Sequence, residues 1–217
     1  MTNYLIIGAI AYFFSAVPFS FLIGLIFYRT DIRKHGSGNI GSTNLYRVLG
    51  PLPGVIGYLL DTLKGALSVA LLLYFFPTND PNLAGIISAT MAIIGHMFPV
   101  YLLFKGGKGV AVAFGACLVL SPWAALCSIS LFAIVVLIWR YMSLGSITAT
   151  VSFILFSSLY SYFFASHFNY WLLGFTMVLM LLVIFAHRSN IKRLLKGEEG
   201  RFDFKRKKSR EAPKEQH

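Results

Sequence analysis

Apolar runs of about twenty residues fill most of the chain between Tyr4 and His187. Lipid offers no partner to a backbone N–H or C=O, so a run of this kind crosses a bilayer only as a helix or as part of a closed barrel. The runs are continuous, without the strict alternation of a barrel strand, and helix is the reading they permit. Seven segments can be read, at about 4–27, 53–76, 83–104, 109–121, 122–140, 145–165 and 169–187. The stretch 109–140 is too long for one span, and Pro122 in "SPW" divides it. The piece 109–121 is short and needs tilt or a protein surround. With 57% hydrophobic and only 12% charged residues in 217, a soluble core carrying one anchor is excluded. A cleaved signal peptide is not expected, because no basic segment precedes the first run.

The charges orient the helices. Arg29, Arg33, Lys34 and Arg47 occupy one connection, Lys105 and Lys108 another, and Arg140 a third. Eleven of the 19 Lys and Arg lie in Arg188–His217. The connections at 77–82, at Ser121–Pro122 and around His167 have none. Cations therefore fall in every second connection, as the positive-inside rule requires. The expected fold is an all-α integral membrane protein of seven transmembrane helices, N-terminus outside and C-terminus cytoplasmic. Residues 1–200 form its one domain. Residues 201–217 read as a basic, disordered cytoplasmic tail that favours anionic lipid. The charge is concentrated where topology uses it, and no nucleic-acid partner is expected. No internal repeat marks an inverted-repeat transporter.

Four polar segments fall on the cytoplasmic side. In "HGSGNIGSTNLYRVLG", His35–Gly50, Gly36, Gly38 and Gly41 allow backbone N–H groups to converge as an anion nest. Ser42, Thr43 or Asn44 can cap a short helix, and Arg47 stands one turn later, suited to a bidentate phosphate grip. In "KGGKG", Lys105–Gly109, three glycines allow close backbone approach beside two cations; a positive-inside turn would explain the lysines but not the glycines. "RYMSLGSI" supplies Arg140, Ser143 and Ser146, and "AHRSNIKRLLKGEE" supplies His187, Arg188 and Asn190, followed by an interfacial amphipathic helix. Carboxylates are scarce there. Together the segments read as an anion site at the cytoplasmic surface.

Asp61 and Lys64 stand three apart inside the second span, on one helix face. An ion pair turned into the bundle is the economical arrangement, with a proton relay as the alternative. His96 lies ahead of an expected kink at Pro99, as a ligand-facing group or a packed one. Cys117 and Cys127 have no metal-ligand spacing and read as buried packing residues. No metal and no cofactor are expected.

The motifs "SGNIGSTNLYRVLG", "DTLKG", "HMFPVYLLFKGGKGVAVAFG", "RYMSLGSI" and "HRSNIKRLLKGEE", in this order over residues 1–200, resemble the bacterial acyl-phosphate:glycerol-3-phosphate acyltransferases of the PlsY type. The chain departs at Ser42, where the family often has alanine, and at Val112, near a position that is often threonine. The resemblance implies transfer of a fatty acyl group from acyl phosphate to the 1-hydroxyl of glycerol 3-phosphate, giving lysophosphatidate and phosphate. That is the first acylation of bacterial phospholipid synthesis, in the cytoplasmic membrane. It further implies that Ser37, Arg47, Lys108 and Asn190 hold the acceptor phosphate. Ser146 and His187 orient the glycerol, and Asn39 and Lys105 stand nearby. It suggests membrane lipid as surroundings and a soluble acyl-phosphate-producing enzyme as a transient partner.

The residues bear on the mechanism independently. An HxxxxD dyad is missing, because Ile40 and Tyr101 stand where its aspartate would follow His35 and His96. Neither cysteine lies in a polar segment. Direct transfer follows, with the acceptor's own phosphate taking the proton. An anion transporter would need polar groups on the outer half, and the outer connections are short and nearly uncharged. A CDP-alcohol phosphotransferase would need a cluster of aspartates, and Asp61 stands alone in the membrane.

Overall fold

A computed structural model describes residues 1–164 and 168–204. His167 and residues 205–217, which hold most of the basic tail, lie outside the described residues. Among the described residues the regular structure is entirely helical: α1 Thr2–Ser15, α2 Phe19–Tyr28, α3 Ser42–Leu49, α4 Pro51–Phe75, α5 Pro81–Met97, α6 Val110–Leu120, α7 Pro122–Trp139, α8 Met142–Phe164, α9 Tyr170–Ala186 and α10 Arg188–Leu195. Two 3-10 turns, Ile32–Lys34 and Val100–Leu102, complete it.

Among the described residues, five segments are long and apolar enough to cross a bilayer: Thr2–Tyr28, Pro51–Phe75, Pro81–Leu102, Pro122–Trp139 and Met142–Phe164. A sixth is α9 taken with α10, which bends away by 63°. The 11 residues of α6 reach only about 16 Å at 1.5 Å per residue, against a hydrocarbon thickness of about 30 Å. Protein surrounds part of that short helix. A Cβ at Gly65 would strike the Val112 carbonyl, and one at Gly115 the Thr62 carbonyl. The two glycines thus bring α4 and α6 backbone to backbone, the close approach that small residues allow between helices in lipid.

The core follows the same rule, with Ala84, Ala89, Ala92, Ala113, Ala116, Ala124 and Ala125 all buried in it. Large side chains such as Phe27, Leu59, Leu137, Phe163 and Trp171 face outward, as they would toward lipid. Cys117 is buried as expected, but Cys127 is exposed. It lies on the outer face of α7, in a shallow hollow with Trp123, Phe156 and Tyr160, where the surroundings are apolar without being protein interior.

The first span is broken. Pro18 has no N–H and begins α2. The carbonyl of Val17, released from helical pairing, accepts a hydrogen bond from Lys64 Nζ at 2.7 Å. Lys64 also contacts Asp61 Oδ1 at 2.8 Å, so the expected ion pair forms, with both side chains almost wholly buried. Ser20 donates to Asp61 Oδ2 at 2.7 Å. Pro99 ends α5 as expected. The chain then turns through two left-handed residues, Leu103 and Phe104, into "KGGKG".

Candidate active site

A cavity of about 1040 Å³ opens among α3, α4, the Gly106–Gly109 turn, α6, α7, α8 and the α9–α10 bend. Seven of the eight residues expected at the site line it: Ser37, Asn39, Arg47, Lys108, Ser146, His187 and Asn190. They come from four stretches of chain and meet at one polar end. Lys105 does not line the cavity, and its side chain is exposed. Of the two lysines in the motif, Lys108 is the one in the cavity wall.

The 35–41 loop is built differently from the expected nest. Ser37 N–H donates to Asn44 Oδ1 at 2.7 Å, Gly38 N–H to the His35 carbonyl at 3.1 Å, and Gly41 N–H to Asn39 Oδ1 at 2.9 Å. These three N–H groups are spent inside the loop. Asn44, expected as a possible cap, is instead the buried staple. Its amide nitrogen donates to the Ile32 and Asn39 carbonyls, each at 2.8 Å. The N-cap of α3 is Gly41, without a side-chain cap.

The glycines of "KGGKG" also have a reason the sequence does not show. A Cβ at Gly106 would collide with the carbonyls of His96 and Met97, and one at Gly107 with the His96 ring. Gly107 N–H donates to the His96 carbonyl at 3.1 Å. The turn therefore lies flat on the end of α5, and that seat carries Lys108 into the cavity.

Lys108 Nζ donates to Asn190 Oδ1 at 2.6 Å, and Asn190 Nδ2 donates to Glu199 Oε1 at 2.7 Å. Glu199 also accepts from Ser143 Oγ at 2.6 Å and from Arg193 Nε at 2.7 Å. Burial alone would raise the Glu199 carboxyl, but the three donors Ser143, Asn190 and Arg193 hold it below the ordinary glutamate value. Burial pushes Lys108 down to about 8; Glu199 opposes the shift, and Arg193 and Arg47 reinforce it. Glu199 and Arg193 were not singled out from the sequence, and Ser143 was named only as one hydroxyl of "RYMSLGSI". Glu199 sits in a charged stretch that reads as tail, and only the return of that stretch to α8 and α10 reveals it.

His187 is buried at the α9–α10 bend. Its Nδ1 lies 2.9 Å from the Val183 carbonyl, which can only accept, so Nδ1 carries the proton and Nε2 keeps a lone pair. Nε2 is therefore left to accept a hydrogen bond from a ligand.

The other end of the cavity is apolar, with Cys117, Ala125, Ile129, Phe132, Phe153 and Leu179 on its walls. Over the polar end lies Arg201–Phe204, the start of what reads as tail. Phe202 N–H donates to the Arg140 carbonyl at 2.6 Å. The Phe202 ring stands 4.5 Å from that of Tyr46, whose hydroxyl donates to the Asp203 carbonyl at 3.0 Å. A cationic pocket that opens into an apolar trough suits a ligand with an anionic head and an aliphatic chain. Among the described residues no cluster of side chains could hold a metal ion.

Comparison with known proteins agrees. Residues 5–197 match the glycerol-3-phosphate acyltransferase family profile. The chain is 44% identical over 202 residues to the glycerol-3-phosphate acyltransferase of Syntrophotalea carbinolica, covering 93% of this chain and 99% of that one. It is 43% identical over 201 residues to that of Alkaliphilus metalliredigens, covering 92% and 95%. The crystal structure of PlsY (YgiH), an integral membrane glycerol 3-phosphate acyltransferase in its glycerol 3-phosphate form, superposes with a TM-score of 0.81 at 37% identity, over 92% of this chain and 96% of that one. The lysophosphatidic acid form of PlsY gives 0.79 at 36% identity. With its helical membrane architecture and a single cavity that gathers the motif residues, this chain belongs to the glycerol-3-phosphate acyltransferase family.

Proposed function

We propose that the protein acylates the 1-hydroxyl of glycerol 3-phosphate with acyl phosphate as donor, at the cytoplasmic face of a bacterial cytoplasmic membrane. One observation carries this reading: the cationic pocket and the apolar trough are one cavity, and among the described residues no lining carboxylate is left unengaged to act as base. Asp61 is paired with Lys64, and Glu199 is held by three donors. His187 is held by the Val183 carbonyl through Nδ1 and presents Nε2 to the glycerol.

In this reading Ser37, Arg47, Lys108 and Asn190 hold the acceptor phosphate, with Asn39 beside them, while Ser146 and His187 Nε2 orient the glycerol. The 1-hydroxyl oxygen bonds to the acyl carbon, and the bond from that carbon to the phosphate oxygen breaks. Inorganic phosphate leaves with the electron pair. The hydroxyl proton passes to the acceptor's own phosphate, whose second pKa is about 6. The activated donor supplies the driving force, and the protein supplies positioning and charge stabilisation. In this reading the chain crosses the membrane seven times, with α6 as the short fourth passage, the N-terminus outside and the C-terminus inside, so that the cavity opens toward the cytoplasm. There a soluble enzyme can deliver acyl phosphate.

The test is purified protein in lipid nanodiscs with labelled glycerol 3-phosphate and acyl phosphate, acyl-CoA or acyl-carrier protein. Lysophosphatidate and phosphate should form one for one with acyl phosphate alone. Turnover with acyl-CoA or acyl-carrier protein instead would overturn the donor assignment.

The grip also predicts a pH window for the acceptor. The phosphate dianion forms above about pH 6. The Lys108 cation is present below its value of about 8 and is lost as pH rises through it. The kcat/KM for glycerol 3-phosphate should therefore peak between these values and fall on both sides. In Lys108→Met the alkaline limb near 8 should disappear from the residual activity.

A further inference from the structure

His96 is 6% exposed and forms part of the cavity wall, yet neither the phosphate grip nor the orientation of the glycerol uses it. Its surroundings fix its chemistry. Lys64 Nζ has three neighbours: the Val17 carbonyl at 2.7 Å, Asp61 Oδ1 at 2.8 Å and His96 Nδ1 at 3.0 Å. The carbonyl and the carboxylate can only accept, and an ammonium has three protons and no acceptor. Lys64 therefore donates to Nδ1, and the His96 proton is on Nε2. This is the opposite tautomer to that of His187.

Nε2 lies against Gly107, so close that a Cβ there would collide with it. No hydrogen bond joins Nε2 to the protein among the described residues. The result is a neutral N–H donor, clamped from behind by Lys64 and Asp61, without a protein acceptor. It stands between the turn that carries Lys108 and the wall formed by Met97, Ala113 and Cys117. On the acyl-phosphate reading, that is where the donor's head would meet its chain.

We propose that His96 is a catalytic residue whose Nε2–H donates a hydrogen bond to the acyl carbonyl oxygen as the acceptor hydroxyl adds to the acyl carbon. The inference rests on the acyl-phosphate reading above. No proton is transferred from His96: the oxygen gains negative charge in the addition, the N–H stabilises it, and the carbonyl re-forms as phosphate departs. Asp61 and Lys64 become positioning residues, because they set the tautomer and hold the ring.

Two amide variants, each reproducing one of the ring's two nitrogen positions, separate this role from packing. In His96→Asn the amide oxygen can still accept from Lys64 and the main-chain carbonyl still accepts from Gly107, but the donor at the Nε2 position is gone. In His96→Gln an amide N–H returns close to that position. Loss of one oxyanion donor costs about 10²–10³ in kcat. His96→Asn should lose about that factor in kcat, with KM for glycerol 3-phosphate within twofold and thermal stability unchanged, and His96→Gln should recover at least tenfold. Wild-type kcat in a folded His96→Asn overturns the proposal. So does a loss that follows thermal stability and raises the KM of both substrates together.

A measurement on the unmutated protein decides the matter if the variants do not fold. With ¹⁵N-histidine labelling, the His96 Nε2–H proton resonance should move downfield on adding a hydrolysis-resistant acyl phosphonate, and an unmoved resonance overturns the assignment. A wild-type protein inactive with acyl phosphate would instead remove the donor reading itself, so the two failures are distinguishable.

Discussion

Lys108→Ala should lower kcat/KM for glycerol 3-phosphate roughly 10³-fold while the protein still folds. A hydrogen bond to a charged group contributes about 1.5–3 kcal/mol, and a tenfold change is about 1.4 kcal/mol. The variant removes a cation from the pocket and also leaves Asn190 Oδ1 without its 2.6 Å donor, so about 4 kcal/mol is at stake. Folding should survive, because the turn is seated by Gly106 and Gly107 on α5 rather than by the Lys108 side chain. Lys108→Arg keeps the charge but presents a planar fork where a compact ammonium fits, and should restore only a fraction. Steady-state kinetics in nanodiscs settles it: activity within tenfold of wild type in Lys108→Ala would end the phosphate-grip assignment.

Glu199→Gln should destabilise the fold strongly. Both Glu199 oxygens accept from donors, Ser143 and Asn190 on one and Arg193 on the other. An amide cannot accept on both sides, so one donor meets another N–H. Losing one partner of a buried charge network costs several kcal/mol. Arg193 is 40% exposed, so water screens part of its share and the loss should be about 2–4 kcal/mol. For a chain of this size that lowers Tm by on the order of 10 °C.

The pH dependence has a definite sign. The folded-state Glu199 carboxyl is held below its ordinary value, so its contribution is complete above that value and lost as pH falls through the folded one. Thermal unfolding of wild type against Glu199→Gln should show the gap narrowing in acid. A gap that stays constant from neutral to strongly acidic pH would show that the carboxylate charge is not what holds the segment.

Most of the helix ends, and most of the polar residues that line the cavity, were readable from residue order because lipid enforces simple rules. Apolar length, proline breaks and cation placement located the helices, and four polar interruptions located the cavity wall. What stayed hidden depends on contacts between distant segments. The glycines of "KGGKG" suggest room for a ligand, whereas Gly106 and Gly107 make room for α5. The glycines of the 35–41 loop suggest a backbone nest, yet buried Asn44 and Asn39 accept two of its N–H groups. Glu199 is one acid in a run of charges, and nothing local tells it from Glu198, its neighbour in the same exposed-looking stretch. His96 shows only its identity, since its tautomer depends on a lysine thirty-two positions earlier.

The break before Pro18 has a consequence for biogenesis. Asp61 and Lys64 cost about 2.5–3.5 kcal/mol each at mid-bilayer when unpartnered, so α4 enters lipid poorly alone. The acceptor in Val17 and the donor in Ser20 both precede α4 in the chain. Synthesis from the N-terminus therefore delivers the receiving half of the network before the charged half emerges from the ribosome, and α5 brings His96 last to close it. The order of the segments in the gene is also an order of assembly, and moving α1 and α2 to the C-terminus by circular permutation would leave the charged helix waiting in the insertion machinery for partners not yet made.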